Sequence, residues 1–285
     1  MSPVYHVDMA MKGILFNKTV GKQRFIDRIL SMDKFAIKWF SAYRLYRLYA
    51  ILWRVCRKLH KIIIQIFLPL IVRPQSGSLE LKRLGTDYGG WTVPVNVLNE
   101  DSICYCAGVG TDASFDFALL DLFGCSVFSL DPTPKAIAYM KSEQYDRNKL
   151  SFLPIGVLDK DVELPFYAPA KDIEVSCSIF DLHGRGQCFK ARCYKLSSIM
   201  KQLGHDHIDL LKLDIEGSWR GIIPDIVNDG IKISVLCVEF DSPTKLTWVL
   251  SAIRMLKSIG FVLVFYEKEN FTFVQESLIS QPSGQ

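Results

Sequence analysis

The chain has 285 residues, 49% of them hydrophobic and 22% charged, and a net charge of +4. That balance excludes a disordered chain and fits one α/β domain with an extension, or two small domains. The charge is segregated: nine Lys or Arg and no acid lie in residues 34–79, which leaves the remainder at net −5 and argues against nucleic acid as a partner.

Eight cysteines are scattered without a CxxC pair, and those at 177, 188 and 193 match no standard zinc spacing. Buried reduced thiols are expected, and with them a reducing compartment. The N-terminus lacks the ordered regions of a signal peptide, so the expected location is cytoplasmic.

Residues 1–33 are weakly patterned. In residues 34–61, Arg44, Arg47, Arg54, Arg57, Lys58 and Lys61 fall on one side of a helix, and Leu45, Leu48, Leu52, Trp53 and Leu59 fall on the other. This basic amphipathic pattern suits a helix lying on an anionic membrane surface, on the inner face of the membrane. A helix docked on its own domain or on a partner is the alternative. The apolar run 62–72 is eleven residues long and broken by Pro69, too short to span a bilayer. Residues 73–78, RPQSGS, read as a linker. The expected division is therefore a basic helical extension with linker at 1–78, one catalytic domain at 79–277 and a flexible tail at 278–285.

Residues 87–95 form a glycine-containing turn and a short strand. Residues 102–107 read as a buried strand, followed by the turn Gly108-Val109-Gly110, where backbone can approach a ligand. A helix is expected over 112–123, closed by Gly124, and a second strand over 125–130 delivers Asp131 to its carboxyl end. A carboxylate there suits the two hydroxyls of a ribose, so the segment reads as a nucleoside-cofactor site. Gly108-x-Gly110-x-x-Ala113 also satisfies the looser dinucleotide pattern.

A helix at 133–148, a strand at 150–155 whose Ile155-Gly156 end meets the adenine, and an added strand at 162–167 come next. A polar loop covers 171–192 and contains His183. After a helix from Ser197, strand 208–213 delivers Asp214 and Glu216 to the cofactor edge. A helix at 218–228 is marred by Pro224, and strand 233–240 delivers Glu239 and Asp241. A helix at 242–259 and an antiparallel pair at 261–267 and 271–275 close the fold, and the last ten residues look disordered. A doubly wound, Rossmann-like sheet ending in an antiparallel strand pair is the class I methyltransferase layout. Too little chain remains after Glu239 for the separate catalytic domain that usually follows a nicotinamide-binding one.

Gly108-Val109-Gly110 with Asp112 and Phe115, Asp131-Pro132-Thr133-Pro134, and Leu211-Lys212-Leu213-Asp214-Ile215-Glu216-Gly217 resemble the FkbM-type S-adenosylmethionine-dependent methyltransferases. Pro154-Ile155-Gly156-Val157 and Tyr88-Gly89-Gly90-Trp91 add to the likeness, which runs from about residue 81 to 275 and omits the basic segment. The turn lacks the Asn that many relatives carry. The resemblance implies an O-methyltransferase, acting on a sugar hydroxyl of a glycan, glycolipid or polysaccharide precursor.

Ala107, Gly108, Val109, Gly110, Asp112, Asp131, Pro132, Ile155 and Gly156 are then the expected cofactor-binding residues. Methyl transfer to an alcohol needs a proton acceptor, and Asp214, with Glu216, is the expected catalytic group; His183, His205 and His207 are alternative bases. Converging carboxylates repel unless protonated or bridged by a cation, so Asp214, Glu239 and Asp241 are candidate ligands for Mg²⁺. Two other readings stay open: an NAD(P)-dependent oxidoreductase, and a non-catalytic membrane-docking protein with a nucleoside-binding fold.

Overall fold

The computed structural model describes residue 62 and residues 71–167, 187–241 and 244–279. The basic helix expected at 34–61 and His183 lie outside these residues, as do most of the apolar run at 62–72 and of the loop expected at 171–192.

Hairpin β1 (Leu81–Leu84) and β2 (Trp91–Pro94) precedes a sheet built from β3 (Ile103–Ala107), β4 (Ser126–Leu130), β5 (Leu150–Leu153), β9 (Ile208–Leu213), β10 (Ile233–Glu239), β11 (Phe261–Glu267) and β12 (Asn270–Gln275). The strand order is β11-β12-β10-β9-β3-β4-β5. β3, β4, β5, β9 and β10 pair in parallel, while β12 runs antiparallel to both β10 and β11. This is the doubly wound class I methyltransferase layout expected from the sequence. Its topological switch lies at β3, where the chain builds outward first through β4 and β5 and then through β9 and β10; ligands bind such sheets at the carboxyl edge there.

The strands are apolar along their length because helices cover both faces. Alternation sends Tyr105, Leu211, Leu213, Leu236 and Val238 into one core, with α3 (Leu196–Leu203), α4 (Trp219–Asn228) and α5 (Leu246–Ser258). Cys104, Cys106, Leu210, Val235 and Cys237 enter the other core, with α1 (Ser114–Phe123), α2 (Pro134–Ser142) and the first hairpin. Cys104, Cys106, Cys125, Cys193 and Cys237 are buried free thiols.

Three expectations are corrected. Residues 187–192, read as the end of a polar loop, belong to strand β8 (Gln187–Tyr194), which pairs with β6 (Gly156–Val157) and β7 (Val162–Tyr167) in a small separate sheet. Its charged residues misled: Lys190 and Arg192 alternate with Phe189, Ala191 and Cys193, which pack inward. Residues 276–278, expected to be disordered, form a short 3₁₀ turn. The helix expected over 133–148 stops at Ser142, where Glu143 is extended. The linker at 73–78 is irregular but tied down, its Gln75 amide donating to the Leu263 carbonyl at 2.9 Å. Among the described residues no helix is long and apolar enough to cross a membrane.

Candidate active site

A cavity of about 300 Å³ opens at the carboxyl edge over β3, at the lower end of the size range of small-molecule sites. Gly108, Val109, Gly110, Asp112, Asp131 and Pro132 line one side, and Asp214, Glu216 and Glu239 another. Gly156, with Val157, Leu158, Phe166 and Cys193 of the small sheet, forms an apolar wall. Burial pushes the Cys193 thiol up to about 11, which keeps it protonated and poorly nucleophilic.

The glycine turn is dictated by close approach. Gly108 has φ +89°, and a Cβ there would lie 1.8 Å from the Asp214 carbonyl oxygen. The two strand ends meet this tightly because the Asp214 amide donates to the Ala107 carbonyl at 3.0 Å. Ala107 itself is core, contributing backbone to this junction and no side chain to the cavity. Ile155 likewise packs toward the core, and Gly156 takes the cavity position.

Asp131 is 5% exposed. Its Oδ2 accepts from the Val109 and Gly110 amides at 3.0 and 2.8 Å, and Oδ1 accepts from the Thr133 amide at 2.8 Å. The residue thus straps the glycine turn to the end of β4, and Oδ1 retains an acceptor position for a ribose hydroxyl. Asp112 lines the cavity but is also engaged: it accepts from the Ser114 amide at 2.9 Å and from the Thr86 hydroxyl. These bonds hold the 85–90 loop against the start of α1. Tyr88 on that loop is 81% exposed and borders the cavity mouth. Its hydroxyl is pushed up by desolvation, then by Asp214 and Glu239.

The carboxylates do gather. Glu239 is pushed up to about 10 by burial first and by Asp214 next, so it carries a proton at neutral pH and Asp214 is its partner. Asp241 is pushed up to about 7 by burial, then by Glu216 and Asp214. The metal expectation does not fit. Among the described residues no three His, Cys, Asp or Glu side chains are arranged to hold an ion, and Asp241 Oδ2 instead accepts from the Trp219 indole at 3.2 Å. Repulsion at this edge is relieved by protons and by Lys212, whose Nζ lies 3.5 Å from Asp214 Oδ2. Glu216 sits at φ +48°, a left-handed conformation rare outside glycine.

The alternative bases His205 and His207 fall elsewhere: both precede β9, at the amino edge, where His205 meets the Tyr105 hydroxyl at 2.8 Å and His207 meets Asp206 at 2.7 Å. Lys212 and Asn270, both lining the cavity, were missed from the sequence. Period-two alternation held the signal for Lys212, which shares the inward-facing side of β9 with buried Leu210. At the rim by Gly217, Arg220 lies over the ring of Trp248 at 4.3 Å, and Trp248 is 42% exposed.

No family model matches the chain, and no curated protein does. Solved structures similar to it include a precorrin-6y C5,15-methyltransferase from Geobacter metallireducens GS-15, 12% identical over 62% of this chain and 82% of that one, with a TM-score of 0.36. Another is a Methanococcus jannaschii fibrillarin pre-rRNA processing protein, 11% identical over 72% of this chain and 86% of that one, also with a TM-score of 0.36.

Proposed function

We propose that the protein is an S-adenosylmethionine-dependent O-methyltransferase acting on a sugar hydroxyl of a glycan, glycolipid or polysaccharide precursor. The observation that carries the reading is the pairing, across one cavity, of a glycine turn strapped by Asp131 with Asp214 and Glu239 on the neighbouring strands. The residues fit the cofactor: Gly108 and Gly110 line the cavity without side chains, Asp131 Oδ1 has a second acceptor position, and the acidic wall complements a sulfonium.

The cofactor supplies an electrophilic methyl group. Asp131 and the turn hold the nucleoside end, and Gly156, packed against Cys193, lines the cavity beside it. Asp214 would accept the proton of the acceptor hydroxyl held beside that methyl group. Glu239, already protonated, is hydrogen-bonded to Asp214 and leaves Asp214 as the proton acceptor of the two. No step runs through Mg²⁺, whose ligand set does not fit. Half-exposed Trp248, with the Arg220 guanidinium over its ring, offers a sugar an aromatic edge and hydrogen-bond donors near Gly217. The basic segment at 34–72 suits an anionic membrane surface where such acceptors are assembled, which makes the enzyme a peripheral protein of the inner membrane face.

Calorimetric titration with S-adenosylmethionine and, separately, NADH tests the cofactor. Micromolar binding of the first alone is expected. Binding of NADH alone would replace the reading by an oxidoreductase, and binding of neither by folded protein would leave a docking protein.

A further inference from the structure

Lys212 is 2% exposed, near the carboxyl end of strand β9, which is otherwise aliphatic on that face. Its ammonium donates to the Gly108 carbonyl at 2.7 Å and stands 3.5 Å from Asp214 Oδ2. Behind it, on α1, Asp116 is fully buried, accepts from the Ser129 hydroxyl through Oδ1, and has no hydrogen bond to Oδ2 among the described residues. Burial opposes the Lys212 charge, and Asp214 and Asp116 restore it strongly enough to raise its pKa overall. A buried cation of this kind persists only when its surroundings compensate it.

The Gly108 carbonyl and the Val109 amide belong to one peptide unit, and in a trans peptide they point in opposite directions. The oxygen end meets the Lys212 ammonium, and the hydrogen end meets the Asp131 carboxylate at 3.0 Å. The unit is gripped between a cation and an anion. Rotating it by half a turn would set its carbonyl against Asp131 and its amide against Lys212, both repulsive. Glycine at 108 supplies the conformational freedom that makes such a flip accessible.

We propose that Lys212 is a positioning residue that, with Asp131, selects one orientation of the Gly108–Val109 peptide and ties it to Asp214, so that one buried ammonium aligns the cofactor turn with the proton-accepting carboxylate. Its consequence for methyl transfer rests on the function proposed above; its grip on the peptide does not.

The test is the variant Lys212→Met/Asp116→Asn, which removes both buried charges while leaving an acceptor for Ser129. Changing both together avoids leaving the Asp116 carboxyl buried without the neighbouring ammonium. With ¹⁵N-labelled valine and glycine, the Val109 and Gly110 amide signals of the ligand-free protein are expected to move or double, while Gly124 and Gly204 stay in place. S-adenosylmethionine affinity is expected to fall at least tenfold. A folded variant with unmoved Val109 and Gly110 signals and affinity within twofold of the parent overturns the proposal.

Should that variant fail to fold, the unmutated protein carries the test. The Lys212 ammonium is expected to give a slowly exchanging ¹H–¹⁵N signal, and its absence at low temperature overturns the proposal. If the parent binds no S-adenosylmethionine, the proposed function fails while the amide signals still decide the grip.

Discussion

Glu239 titrates far above an ordinary carboxyl because burial and Asp214 both oppose its charge. The folded protein therefore holds a proton that the unfolded chain has released once the pH exceeds about 4.5. Stability contributed by this group is present below that pH and declines as pH rises toward about 10, since the folded state binds more protons across the window. Asp241 adds a decline of the same sign, between 3.8 and about 7. Glu239→Gln should raise the melting temperature at pH 8 relative to the parent and flatten its pH dependence; an unchanged slope in melting curves from pH 5 to 9 would contradict the protonated state. For catalysis, Asp214→Asn/Glu239→Gln should lower turnover by about 10²–10⁴-fold, the range of a lost general base. Full turnover in that double variant would remove the carboxylate mechanism.

At the scale of elements, the site depends on how closely β3 and β9 approach. Gly108→Ala should abolish S-adenosylmethionine binding and lower the melting temperature, because the added carbon would sit 1.8 Å from the Asp214 carbonyl. Gly124→Ala is the control: its φ is +64°, but nothing lies within 4 Å of the new carbon, so only about 1 kcal/mol of backbone strain is expected. Equal melting shifts in the two variants would show that contact is not what requires Gly108. The rim makes a separate prediction. Trp248→Ala should weaken acceptor binding and leave cofactor affinity within twofold, read as a rise in acceptor KM against an unchanged calorimetric Kd.

For the whole molecule, charge separates two tasks. Residues 34–79 carry nine Lys or Arg and no acid while the rest is net acidic, so any membrane attraction and catalysis are expected to respond to different substitutions. Replacing Arg44, Arg47, Arg54 and Arg57 by Ser should reduce sedimentation with anionic vesicles in low salt, with S-adenosylmethionine affinity unchanged. Undiminished vesicle binding would assign the basic segment to a partner or to its own domain.

The parts of this protein legible in its sequence are those set by local rules. Strand β9 matches its expected bounds, 208–213, because an unbroken aliphatic run between turns admits little else. The glycine turn and the delivery of Asp131, Asp214 and Glu239 to one edge follow from glycine chemistry and parallel strand direction. The tertiary structure alone decided which partners those groups take. Lys212 and the Gly108 carbonyl lie 104 positions apart, and Asp131 turned out to hold backbone amides. Only the fold shows that protons and a buried lysine, with no metal-ligand set among the described residues, relieve the repulsion among the acids. Backbone pattern is written in neighbouring residues. The state of a charge is set by desolvation and by Coulomb partners that only folding brings within a few ångströms.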